Sequence, residues 1–126
     1  MYTLGEERIL TIERVEDKIS VILKDATKSI ELPAKRWISF VLLFLDIEEE
    51  VKKLREKKDV KFFQHIGGAF YVSITTGYNC VDIRRFYKSR EGELKPRREG
   101  LALRLREWTV LFELLPRLLE DAPDLA

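Results

Sequence analysis

The sequence predicts an α+β fold of two strand–helix repeats, packed on one another as an intramolecular pseudo-dimer. Three observations predict it. First, the chain echoes itself. "IELPAKRW" from Ile30 and "LALRLREW" from Leu101 each place an aliphatic at the first and third positions and a tryptophan at the eighth. Upstream, "RILTIE" from Arg8 matches "FYVSIT" from Phe70, and "VILKD" from Val21 matches "VDIRR" from Val81. Second, each tryptophan opens an apolar segment of helical length. Val41 corresponds to Phe112, and Phe44 to Leu115. Third, a repeat of roughly 60 residues buries too little surface for comfortable stability alone, so two wide apolar helix faces are expected to cover each other. The first repeat is assigned to residues 1–58 and the second to 59–126.

Each element has its own reason. Ile9–Arg14, Lys18–Lys24 and Thr27–Leu32 alternate in part as strands do, with "VEDK" as a turn between the first two. Pro33 suits the first turn of a helix. Trp37, Phe40, Val41, Phe44, Ile47, Val51 and Leu54 then recur at steps of three and four, predicting one amphipathic helix to about Lys57. "REKKD" at 55–59 reads as the link. In the second repeat Ala69–Thr75 and Asn79–Phe86 read as strands joined at "TGY". Phe86–Lys88 and Glu93–Lys95 flank "SREG", where Gly92 can take the positive φ of a hairpin loop. Gly100 reads as a bend before a last strand through Leu101, Leu103 and Leu105. A helix is expected from about Arg106 to Asp121, with Trp108, Leu111, Phe112, Leu115 and Leu119 on its apolar face and a kink at Pro116.

Composition narrows the function classes. The 126 residues are 36% charged, yet the formal net charge is only +1, so a polyanionic partner has to be sought in local clustering. Cys80 and His65 are each the only residue of their kind. That excludes an internal disulfide and a Cys/His zinc set, and fits a reducing intracellular compartment. Cys80 reads as a small core residue of a strand, and His65 beside "IGG" as a turn or surface residue. The N-terminus has no signal-peptide pattern, and the longest apolar run, "WISFVLLFL", is about half of what a bilayer requires. Ser73 and Ser89 have no evident partner base, and Glu48, Glu49 and Glu50 read as a solvated helix end. No enzyme, cofactor, metal site or membrane partner is expected.

The positive charge is concentrated in one ribbon. Between residues 84 and 106 lie Arg84, Arg85, Lys88, Arg90, Lys95, Arg97, Arg98, Arg104 and Arg106 against Glu91, Glu93 and Glu99. The rest of the chain is accordingly net acidic. Phe86, Tyr87 and, at the neighbouring turn, Tyr78 are interleaved with these cations. A cationic stripe suits a phosphate backbone, and flat rings beside it suit unpaired bases, which stack whatever their identity. The candidate nucleic-acid-binding residues are Arg84, Arg85, Tyr87, Lys88, Lys95, Arg97, Arg98 and Tyr78. Strict alternation puts Val81, Ile83, Arg85 and Tyr87 on one face and Arg84 with Phe86 on the other, with a bulge or the end of the core expected at Arg84–Arg85. The first repeat lacks the ribbon: the offset between matching positions grows by about eleven residues across it. The competing reading is a solvated hairpin whose charges keep an exposed edge unpaired.

The run "YVSI…VDIRRFYKSREGELKPRREGLAL…EW" resembles the single-stranded-DNA-binding domain of the transcriptional coactivator family called positive cofactor four, from about Phe63 to Ala122. The resemblance implies a curved four-stranded antiparallel sheet followed by a long kinked helix, with paired units whose ribbons grip single-stranded or melted DNA with little sequence preference. It implies a nuclear coactivator or genome-maintenance factor without catalysis, in contact with DNA and with the transcription machinery. By position, Arg84, Lys95 and Arg98 keep basic sites of the family ribbon, and Tyr87 occupies its stacking tryptophan. Three departures stand out. Glu99 replaces a usual lysine. The first hairpin, "TTGYN", is about two residues short of the usual form. In it Tyr78 only approximately replaces a stacking phenylalanine. The first repeat keeps Lys24 opposite Arg84 and reads as a degenerate partner. Pairing of repeats within one chain is also similar to the purine-rich-element-binding family. RNA as a ligand and a further homodimer stay open. The rival function is a protein-interaction module of the transcription machinery that has lost nucleic-acid binding.

Overall fold

In the computed structural model, which describes residues 1–125, the chain forms two four-stranded antiparallel meanders, each followed by helix. The first sheet is β1 (Tyr2–Thr3), β2 (Ile9–Val15), β3 (Lys18–Lys24) and β4 (Ser29–Pro33), in that order. Helices α1 (Ala34–Val41) and α2 (Phe44–Arg55) follow. The second sheet is β5 (Lys61–Gly67), β6 (Phe70–Thr75), β7 (Tyr78–Lys88) and β8 (Leu94–Arg104), followed by α3 (Leu105–Asp121) and a final 3-10 turn, Pro123–Leu125.

The register repeats along with the sequence. Val21 faces Leu32, Leu23 faces Ile30 and Lys24 faces Ser29 in the first sheet. In the second, Val81 faces Leu103, Ile83 faces Leu101 and Arg84 faces Gly100. Ile9 opposite Lys24 likewise matches Tyr71 opposite Arg84. The alternation has the same cause in both sheets: Val21, Leu23, Ile30 and Leu32, and Val81, Ile83, Leu101 and Leu103, are all buried on the helix side.

The two halves share one core. Trp37 and Trp108 are fully buried. Phe44 meets Trp108 edge-on at 4.9 Å between ring centroids, and it also packs on Phe40 at 4.9 Å. Polar ties cross the same seam. Arg55 donates to the Leu105 carbonyl at 3.2 Å and to Thr109 Oγ1 at 2.8 Å. Arg36 donates to the Ile66 carbonyl at 3.1 Å. Arg8 bridges Asp25 of its own repeat and Glu107 at the start of α3. Glu107 is buried but satisfied, because it also accepts from the Arg104 backbone N–H at 2.8 Å, as an N-terminal helix residue does in a capping box.

Four expectations need correction. The first helix is broken at Leu42–Leu43, where Leu43 N–H reaches back only three residues to the Phe40 carbonyl, at 2.9 Å. Lys61–Gly67, to which the sequence reading assigned no element, is a strand. Gly100 lies inside β8 rather than at a bend. Leu118, not Leu119, is the buried residue near the end of α3, which continues on both sides of Pro116.

Candidate nucleic-acid interface

Strands β7 and β8 are 11 residues each and change character at the bulge between Arg84 and Phe86. Below it, β7 and β8 form the sheet. Above it, Phe86 faces Pro96, Tyr87 faces Lys95 and Lys88 faces Leu94 in a two-stranded ribbon. The Ser89–Glu93 turn closes it, with Ser89 N–H donating to the Glu93 carbonyl at 2.8 Å. Gly92 sits there at φ 81°, a backbone conformation that a β-carbon disfavours.

Arg84 is a clamp inside the protein. Its Nε and Nη2 hold Asp82 at 3.1 and 3.0 Å, and Nη1 donates to the carbonyls of Arg97 at 2.9 Å and Arg98 at 3.3 Å. These carbonyls belong to the longer side of the bulge, whose backbone groups lack ladder partners. The side chain lies across Gly100, where a β-carbon would sit 2.8 Å from Arg84 Cγ. Arg85 is also engaged. It pairs with Glu99 at 3.1 Å and rests over the Phe70 ring at 5.3 Å. The other predicted cations differ: among the described residues, Lys88, Lys95, Arg97 and Arg98 take part in no ion pair.

Tyr87 is 41% exposed with the Arg97 guanidinium 5.1 Å from its ring centre, and Tyr78, at the foot of β7, is 70% exposed. Phe86 turns to the opposite face, as alternation requires. There it joins a row of rings that sequence reading missed. Phe63 stacks on Tyr71 at 4.8 Å and His65 stacks on the same ring at 4.6 Å; Phe86 meets Phe63 and Tyr71 edge-on at 5.3 and 5.1 Å. Phe63 is 45% exposed. His65 Nε2 donates to the Gly68 carbonyl at 2.6 Å, so the ring is fixed. The period-two spacing of Phe63 and His65 in β5 was the available signal. It could be read only once β5 was known to pair with β6.

Beside this row the solvent face of the sheet has a low floor. Ser73, Thr75, Tyr78, Cys80, Asp82, Arg84 and Ala102 line a recess of about 330 Å3. Cys80 is therefore half-buried on the side away from the core, which corrects its expected place. Burial, then the nearby Asp82 carboxylate, push its thiol above the ordinary value. On the first repeat Lys24 lies at the sheet end beside Ser29, without any ribbon.

The whole arrangement is an antiparallel sheet with one solvent face of rings and small residues, continued by a cationic ribbon. Residues 72–114, from β6 into α3, match the family model described as Transcriptional Coactivator p15 (PC4). That segment contains all eight candidate binding residues. With its sheet, ribbon and following helix in place, the second repeat of this chain is similar over residues 72–114 to the transcriptional coactivator p15 (PC4) family.

Proposed function

We propose that the protein binds single-stranded nucleic acid, foremost single-stranded or locally melted DNA, with little sequence preference and without catalysis, as a nuclear transcription coactivator or genome-maintenance factor. The observation that carries this reading is the set of ribbon cations that, among the described residues, have no ion-pair partner, Lys88, Lys95, Arg97 and Arg98, around the exposed Tyr87 ring. Cations spaced along a ribbon match the phosphates of a strand, and counterion release makes such binding weaken as salt rises. A ring with a guanidinium on one face keeps its second face for a base, and each base–ring stack contributes about 1–3 kcal/mol. The row formed by Phe63, Tyr71 and Phe86 supports the same ligand, because exposed aromatic clusters on a sheet face serve single strands better than duplex.

The test is fluorescence anisotropy with a labelled oligonucleotide. Affinity is expected to fall steeply with salt, and Tyr87→Ala combined with Lys95→Ala to weaken binding by about tenfold or more. Unchanged affinity in that variant rejects the surface. Competition between DNA and RNA of the same sequence ranks the two ligands. A second reading, a docking module for proteins of the transcription machinery, is favoured by Leu42 and Leu45, which are 76% and 75% exposed at the break between α1 and α2. Failure to bind any oligonucleotide at low salt would select it.

A further inference from the structure

The short turn between β3 and β4 occupies the place where the second repeat carries its ribbon. Lys24 and Ser29 stand in register as Arg84 and Gly100 do, but only residues 25–28 connect them, against 85–99 in the second repeat. We propose that this turn is a phosphate-binding corner: Thr27, Lys28 and Ser29, with Arg98 of the second repeat, hold a backbone phosphate of the strand that the ribbon binds. The inference rests on the single-strand reading above and adds the first repeat to the binding path.

The turn is built rigidly. Asp25 Oδ1 accepts from the backbone N–H groups of Thr27 at 2.8 Å and Lys28 at 2.7 Å, and the Asp25 N–H donates to the Lys28 carbonyl at 2.8 Å. The other Asp25 oxygen is held by Arg8, which also reaches Glu107 on α3. A turn fixed in this way loses little entropy when a ligand arrives. It presents the Ser29 hydroxyl and the Lys28 side chain to a recess of about 520 Å3 lined by Thr27, Lys28, Ser29, Arg98 and Glu99, with the Thr27 hydroxyl turned to Asp25 Oδ1 at 3.4 Å. Among the described residues neither Lys28 nor Arg98 takes part in an ion pair. Hydroxyls and cations together are the donors that contact nucleic-acid phosphates. The one acid in the recess, Glu99, is partly neutralised by Arg85 at 3.1 Å. Geometry supplies the path: β4 and β8 are the last strands of their sheets and pack beside each other, so the recess spans the seam between the repeats.

The experiment measures anisotropy of labelled oligothymidylate with the full chain across a salt series. Lys28→Glu is expected to weaken binding by about tenfold at low salt and to lower the slope of log affinity against log salt by about 0.7, the share of one phosphate on a single strand. Ser29→Ala is expected to weaken binding by about threefold, the loss of one modest hydrogen bond, and Lys28→Arg to retain it. Lys18→Glu, at the other end of β3, makes the same change in total charge and is expected to leave the slope unaltered. An equal loss from Lys18→Glu overturns the corner, since only the overall field would then matter. Displacement by polyglutamate as strong as by an equal charge of oligothymidylate overturns it too. If Tyr87→Ala weakens binding while Lys28→Glu does not, this inference fails alone. If the unaltered chain binds no oligonucleotide, the ribbon reading falls with it. Melting temperatures of the variants show that the exposed turn has been changed without unfolding the protein.

Discussion

On the proposed single-strand reading, Glu99 is the residue on which affinity turns. Its carboxylate stands among the ribbon cations and pairs with Arg85, so on that reading it subtracts from the field offered to a phosphate backbone and occupies one of the cations there. Glu99→Lys should raise oligonucleotide affinity at low salt by about tenfold or more and steepen the salt dependence, since it removes a repulsion and frees Arg85; titration over a salt series checks this. Arg84 carries the opposite lesson. Its charge was legible in the sequence, but its engagement with Asp82 and two carbonyls was not, because a bulge decides which backbone groups go unpaired. Cys80 is the third residue with a consequence. Burial raises its thiol, so the thiolate fraction at pH 8 is below that of an ordinary cysteine near 8.5. Alkylation should be slower than for a free thiol at pH 8 and should accelerate only in more alkaline buffer, as read by mass spectrometry.

At the scale of elements, the β7–β8 ribbon depends on a glycine that the sequence marked for the wrong reason. Gly100 is needed because a β-carbon there would lie 2.8 Å from Arg84 Cγ, not because the chain bends. Gly100→Ala should cost about 1–3 kcal/mol, the usual penalty for an atom forced into a filled site, in urea unfolding; the displaced clamp should also loosen the ribbon. The β3–β4 turn has a pH signature. The Thr27 and Lys28 amides, then Arg8, hold the Asp25 carboxyl below its ordinary value. A depressed acid stabilises the folded form above its unfolded value of about 3.9, and that contribution disappears as pH falls through the lower folded value. Amide exchange at Thr27 and Lys28 should therefore stay protected at neutral pH and lose protection below about pH 4, and Asp25→Asn should flatten that dependence. The break between α1 and α2 was illegible because "VLLF" contains neither proline nor glycine and keeps helical spacing. What shortens the turn is tertiary: Phe44 packs on Trp108 of the other repeat, and Leu42 and Leu45 are left in solvent.

At the scale of the molecule, the two repeats share one core and should unfold as one cooperative unit. Phe44 touches Trp108 and stacks on Phe112 at 6.3 Å, and Arg8 ties the β3–β4 turn of its own half to α3 of the other. Phe44→Ala should cost about 3–5 kcal/mol, as large-to-small changes at buried aromatics do. It should lower one shared melting transition in calorimetry rather than split it in two. Residues 59–126 produced alone should not melt cooperatively as a monomer, since Trp108 and Leu111 would face water; calorimetry and sedimentation of that fragment check it.

The amino-acid sequence by itself determined the doubled plan, the strand faces, the helix seam through the two tryptophans and the position of the ribbon. These follow from periodicity and from spacing, which are local. It also located the cations, since charge is a property of residue type. Only the tertiary structure decided which cations are free, where Phe63, Tyr71 and Phe86 meet, and that the turn at Thr27–Ser29 lies beside Arg98. Those outcomes depend on register, on a bulge and on how two sheet edges come together, which are contacts between residues far apart in the chain.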